Sequence, residues 1–192
     1  ISASTGVMGE AFAAEIPGID QFVRITGQPA IVKKGNEVLA ESPFYVDHNF
    51  FEVFTFPIIK GNNKSPLADI YSVLLSRDVA KKYFGEKDPI GENLQLKIKD
   101  EFENFTVTAV AENFPQNSTL HAGSLLPYKY FEKQSRNIGW MGGNLRTFLL
   151  LSPQANVQTV TQKMQDIFDK HTQERIARAK KEQNISIKMK LG

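Results

Sequence analysis

The chain has 192 residues, a formal net charge of +2, 41% hydrophobic and 23% charged residues, and no cysteine. That length suits one sizeable domain or two small lobes with a core that needs no staples. The charge balance excludes the concentrated basic face that nucleic-acid binding requires, and the lack of cysteine excludes disulfides, thiolate chemistry and cysteine-based zinc sites.

Taken in chain order, "TGVMGEAFAAEI" (Thr5 to Ile16) suits a helix, with Val7, Met8, Ala11, Phe12 and Glu15 at turn spacing and Pro17-Gly18 as its stop. "IDQFVRITG" then alternates as a strand. "AIVKK" and "EVLAES" flank Gly35-Asn36, which reads as a hairpin turn. Pro43 to Gly61 is the most aromatic segment. It reads as a strand end, a short helix capped near Asp47 and an extended exit, and "SPLAD" suits a second short helix. "YSVLLS" (Tyr71 to Ser76) has the composition of a buried strand.

Ser76 is a natural N-cap for the next helix, whose apolar face is Val79, Ala80, Tyr83 and Phe84. Gly85 is expected at its C-terminal end with a left-handed backbone. Asp88-Pro89 and Gly91 form a turn. "NLQLKI" and "FTVTAVAE" read as strands joined by a polar tip from Lys99 to Asn104. "AGSLLP" is a strand, "YKYFEKQ" a short helix, and Arg136 to Asn144 a glycine-rich loop with the only tryptophan. The tail reads β-α-β: "RTFLLLS", a long helix with Val157, Val160, Met164, Ile167 and Phe168 on one face, and "ISIKMKL" (Ile185 to Leu191).

No apolar run approaches the roughly 18 residues needed to cross a bilayer. No signal peptide is visible. The chain starts at Ile1 rather than methionine, so it is expected to be a piece of a longer protein.

Few residues invite a catalytic reading. His48, His121 and His171 have no metal-ligand spacing. No G-x-S-x-G elbow occurs, Ser124 lies in a strand-like context, and Glu101 and Glu103 fall at a polar hairpin tip. The stretch from Ser76 to Leu96 carries Arg77, Lys81, Lys82 and Lys87 with two glycines, a composition that invites comparison with a phosphate cradle. Its glycines follow the helix, however, and Glu92 stands where a Walker loop needs lysine. Helix C-termini present carbonyls, which repel phosphate. The stretch is therefore expected to be a structural corner. The aromatic run from Phe50 to Phe56 serves either as core or as an exposed sugar or lipid platform; phenylalanine without polar handles favours core. Trp140 and Met141, in the glycine-rich loop, are the candidate partner contacts.

Three blocks, "VDHNFFEVFTFPIIKG", "SVLLSRDVAKKYFGEKDPIGENLQL" and "FTVTAVAENFPQNSTLHAGSLLPY", resemble in order and spacing the MacB-like periplasmic core domain of FtsX-type ABC-transporter permeases, particularly those of Bacteroidetes. "TFLLLSPQANVQTVTQKMQDI" looks like that domain's closing β-α unit. The resemblance implies an α+β fold. A porter-like α/β lobe is formed by both chain ends (1–46 and 122–192), with an inserted, mostly-β, sabre-like lobe (47–121). It implies a place at the periplasmic face of the bacterial inner membrane, between two membrane helices of a permease, with both chain termini on one face. It implies no catalytic, cofactor-binding or metal-binding residues. The implied partners are the transmembrane helices of the same permease, a cytoplasmic ATPase subunit or domain, and a second permease protomer. The competing readings are a stand-alone extracytoplasmic sugar- or lipid-binding module and a small hydrolase. Nothing in the sequence names a substrate.

Overall fold

In the computed structural model, residues 3–35, 37–135 and 139–183 are described. The elements in chain order are α1 (Gly6–Glu15), β1 (Ile19–Gly27), β2 (Ala30–Lys34), β3 (Glu37–Glu41), β4 (Phe44–Val46), α2 (Phe50–Val53) and β5 (Ile58–Gly61). There follow β6 (Ser72–Ser76), α3 (Arg77–Phe84), β7 (Asn93–Lys97) and β8 (Phe102–Ala111). The chain then forms β9 (Ser124–Pro127), α4 (Tyr128–Gln134), β10 (Arg146–Leu151) and α5 (Val157–Gln183). The architecture is α+β. The chain divides into two compact units, one from Ile1–Arg24 with Arg136–Gly192 and one from Ile25–Ser135.

In the first unit β10 lies beside β1. Helix α1 ends where the Ile16 N–H bonds the Phe12 carbonyl at 2.9 Å, just before Pro17, which cannot continue the ladder. Its residues Met8 and Phe12, with Ile16, repeat at four-residue spacing and share a core with Val160, Met164, Ile167 and Phe168 of α5. The Asn156 side chain caps α5 by accepting from the Thr159 N–H at 3.0 Å. Val157, expected on the buried face, is 64% exposed in the first turn, before the helix reaches the core. The expected closing strand and both termini lie outside the described residues.

In the second unit the strand order is β4-β9-β6-β8-β7-β2-β3, with β5 also paired to β8 and the last residues of β1 paired to β4. Strands β6 and β8 are parallel, as are β4 and β9; β6 and β9 run antiparallel. All five residues of β6 are buried, which is what a strand covered on both faces requires. Strands β2 and β3 pair with Lys34 opposite Glu37, and Gly35 has a φ of 60°. Helix α2 begins at Phe50 behind Asn49, three residues past Asp47, although the Asp47 carbonyl accepts from the Phe50 N–H at 3.1 Å. "SPLAD" is a turn rather than a helix; it buries Pro66 and Leu67.

Helix α3 follows the expected plan. The Ser76 hydroxyl accepts from the Val79 N–H at 3.3 Å, and Ala80, Tyr83 and Phe84 are buried. They share a core with Val32, Leu94, Leu96, Phe105 and Val107. Gly85 ends the helix at φ 60° and ψ −123°. Its φ is positive as expected, but ψ lies outside the left-handed helical basin, in a region essentially confined to glycine. Nothing lies within 4 Å of where a Cβ would sit, so a side chain there meets only backbone strain. Gly85→Ala and Gly85→Val are therefore both expected to cost about 1–3 kcal/mol in chemical denaturation. An unchanged midpoint for either would contradict this helix ending.

Tyr45 is fully buried, with Phe131 at 5.6 Å and Tyr130 stacked at 6.4 Å. Burial raises its phenol well above the usual tyrosine range. Its hydroxyl has no hydrogen-bond partner among the described residues. Because an unsatisfied buried hydroxyl costs rather than contributes, Tyr45→Phe is expected to melt at or above the parent, with a gain of up to about 1 kcal/mol. A loss larger than that would show that the hydroxyl is satisfied.

Candidate functional site

The glycine-rich loop that carries the predicted contacts is held by a close backbone approach. Ser4 bridges to Leu145 as an antiparallel pair, and the Ser4 hydroxyl shares a 2.6 Å hydrogen bond with Thr147. A Cβ on Gly143 would lie 2.0 Å from the Ser4 carbonyl oxygen, so only glycine fits. The structure places Trp140 half-buried rather than fully outward. Its indole meets Phe12 edge-on at 5.9 Å and lies flat against His171 at 4.2 Å. Met141 beside it is half-buried. Trp140 thus anchors the loop to the α1–α5 core, and the surface available to a partner is what these two side chains leave open.

The corner from Ser76 to Leu96 is a structural element. Asp88 accepts from the Ile90 N–H at 3.0 Å, and the Glu92 N–H bonds the Pro89 carbonyl at 3.1 Å, closing a turn around Gly91 at φ 82°. An open depression of about 290 Å³ beside it is lined by Lys60, Arg77, Lys81 and Lys87 and by the helix end at Gly85. Three of the four cations are paired: Lys60 with Asp88 at 3.0 Å, Lys87 with Glu92 at 2.7 Å, and Arg77 with Glu112. The Ile90 N–H and then Lys60 hold the Asp88 carboxyl below its usual range, and Lys87 does the same for Glu92. Both contributions are in place at neutral pH and disappear as the pH falls through those lowered values. Neutralised cations beside helix carbonyls are poorly suited to hold a phosphate.

The aromatic run packs mainly against itself. Phe50 is buried and stacks on Phe56 at 5.6 Å, and Phe56 meets Phe114 at 4.3 Å. The crevice beside Phe51, Phe56 and Phe114 has no room for a water molecule. A sugar platform needs ring faces open to solvent; here Phe50 is buried, while Phe51, Phe54, Phe56 and Phe114 are half-buried. A second depression, about 380 Å³, is shallow and polar, with Glu41, Asp78, Asn113 and His121 at its rim. Among the described residues no three His, Asp or Glu side chains gather to hold a metal, and no helix is long and apolar enough to cross a membrane.

Sequence reasoning passed over Ile31, Val38 and Phe102, which the structure leaves exposed on strands. The only signal available for them was an apolar residue on each phase of its strand, which becomes informative once the strand pairing is known.

The profile of the MacB-like periplasmic core domain matches residues 2–167. Among solved structures, a crystallised domain described as part of a permease protein from Porphyromonas gingivalis aligns with a TM-score of 0.73 at 25% identity, over 89% of this chain and 79% of that one. The periplasmic region of MacB from Actinobacillus actinomycetemcomitans aligns with a TM-score of 0.66 at 15% identity, over 88% and 75%. The extracellular domain of the noncanonic ABC-type transporter YknZ from Gram-positive bacteria gives 0.67 at 13% identity, over 88% and 84%. At those identities the last two show a shared fold. No curated protein sequence matches the chain. With the profile covering residues 2–167, the chain belongs to the family of MacB-like periplasmic core domains, which are extracytoplasmic domains of ABC-transporter permeases.

Proposed function

We propose that this chain does no chemistry of its own and relays conformational change between the membrane part of a permease and its substrate or partner proteins. The observation that carries this reading is the family match over residues 2–167, supported by the fold shared with a permease domain at a TM-score of 0.73. ATP hydrolysis then falls to a separate cytoplasmic ATPase subunit or domain. The remaining partners are the membrane helices of the same permease and a second protomer, at the periplasmic face of the inner membrane. The division of labour follows the sequence reading, with 1–46 and 122–192 as the porter-like lobe and 47–121 as the inserted lobe. The compact units divide the chain elsewhere, with 25–46 and 122–135 grouped with 47–121 in the second.

Trp140 and Met141 serve in this reading as a partner contact, with the indole as anchor and the thioether as the adaptable part. Because Trp140 also packs on Phe12 and His171, Trp140→Ala is expected to cost about 2 kcal/mol, roughly half a core tryptophan truncation. Met141→Ala should leave the melting temperature within a degree or two of the parent, about what a surface change does. Equal melting of Trp140→Ala and the parent would contradict the anchoring role.

The absence of cysteine makes the topology directly testable. Lys64 lies in an exposed loop, and Lys64→Cys in a parent permease otherwise free of cysteine should react with a membrane-impermeant maleimide in intact spheroplasts. Labelling only after lysis would place the domain in the cytoplasm and overturn the reading. Calorimetry of the isolated chain should detect no micromolar ATP binding.

A further inference from the structure

The registers of β3, β2, β7 and β8 bring together side chains that are far apart in sequence. One row across these strands is Ala40, Ile31, Lys97 and Phe102; the next row on the same face is Val38, Lys33, Gln95 and Asn104. The intervening row, Leu39, Val32, Leu96 and Glu103, faces the other way, and Val32 and Leu96 are buried in the core with Tyr83 and Phe84 of α3. The first face has no such cover: Val38 is 56% exposed, Phe102 41% and Ile31 40%.

The charges separate by the same alternation. Glu37, Glu41 and Glu103 all belong to the core-side rows. There Glu41 accepts hydrogen bonds from Lys82 at 2.6 Å and Tyr83 at 2.7 Å, and Glu103 accepts from the Tyr130 hydroxyl. The open face carries Lys33 and Lys97 and no carboxylate in either row. Asp100 and Glu101 sit in the β7–β8 turn. Neither lysine forms an ion pair among the described residues, and the Lys33 ammonium lies 5.9 Å from the Phe102 ring centre.

We propose that this face docks an acidic, amphipathic segment of a partner protein, its apolar side chains set on Ile31, Val38 and Phe102 and its carboxylates on Lys33 and Lys97. Charge decides the occupant. A second copy laid face to face would oppose lysine to lysine. Two rows on strands about 4.8 Å apart also cover only on the order of 300 Å², well short of the roughly 800 Å² per partner of a stable interface. A small, basic-apolar face suits a contact that is made and released, as a relay needs. The inference deepens the relay reading by naming where a partner docks. Peptide binding by the isolated chain does not depend on membrane topology, so failure here and failure of the maleimide experiment are separate results.

The test is an NMR titration of the isotopically labelled chain with three ligands: an extended peptide alternating Glu with Leu and Phe, the same peptide with Lys for Glu, and phosphatidylglycerol vesicles. The acidic peptide should shift the resonances of Ile31, Val38 and Phe102 with a Kd on the order of 100 µM, as befits so small a contact. Lys33→Glu with Lys97→Glu should weaken it at least about tenfold, the scale of one lost charge pair, with the rest of the spectrum unchanged. If that pair does not fold, Lys33→Gln with Lys97→Gln and Phe102→Ser alone carry the same expectation. Unmoved resonances, equal binding of the basic peptide, or binding that survives the lysine changes would overturn the proposal. Vesicles that shift these resonances where the acidic peptide does not would make the face a lipid surface, and would also overturn it.

Discussion

The second unit depends on one strand having three neighbours. Strand β8 pairs along one side with β6, and along the other with β7 over Phe102–Thr106 and with β5 over Ala109–Ala111. Its pairing with β6 shifts by one residue, since Val73 faces Val107 and Leu74 faces Ala109. Thr108 is the extra residue. Its hydroxyl donates to the Pro66 carbonyl at 2.5 Å and sits 3.3 Å from the Val73 carbonyl, so the bulge leaves this side chain satisfied. Before the bulge the strand alternates, with Phe105 and Val107 buried; after it Ala109, Val110 and Ala111 are all buried. The bulge thus marks the point where the strand passes from having an open face to being buried on both faces.

The two halves of the strand border different surroundings. The first half of β8, with β7, β2 and β3, has a core face under α3 and an open face that collects Ile31, Val38 and Phe102. The second half is enclosed between β5 and β6, where small alanines allow close packing. The depressions nearby are shallow, and their cations are mostly paired. Among the described residues, a domain arranged this way presents surfaces suited to contact.

Much of this was legible locally. Ser76, Val79, Ala80, Tyr83, Phe84 and Gly85 form a helix with its cap and stop written in consecutive residues, and the hairpin at Gly35 is equally local. The self-packed phenylalanines were readable from their lack of polar handles. Less legible were features set by distant pairing. The run from Ile31 to Lys34 does not say which phase is buried until β7 supplies Leu96 opposite Val32. Trp140 read as an exposed anchor because loop glycines surround it, and no local signal pointed to Phe12 or His171, which are far off in sequence. Gly85 was expected in the left-handed helical basin; its ψ is fixed by the turn that follows, which helix periodicity does not encode.

The relay account is a claim about what the domain adds to a permease, and one complementation measurement tests it most directly. A permease lacking this domain, with its membrane helices rejoined by a flexible linker and its membrane insertion verified, would replace the intact protein in a strain deleted for it. ATP hydrolysis by the purified complex and rescue of the deletion phenotype would be measured together. The account predicts that hydrolysis continues while rescue is lost, because the nucleotide site lies elsewhere and the extracytoplasmic output does not. Full rescue by the domainless permease would contradict it.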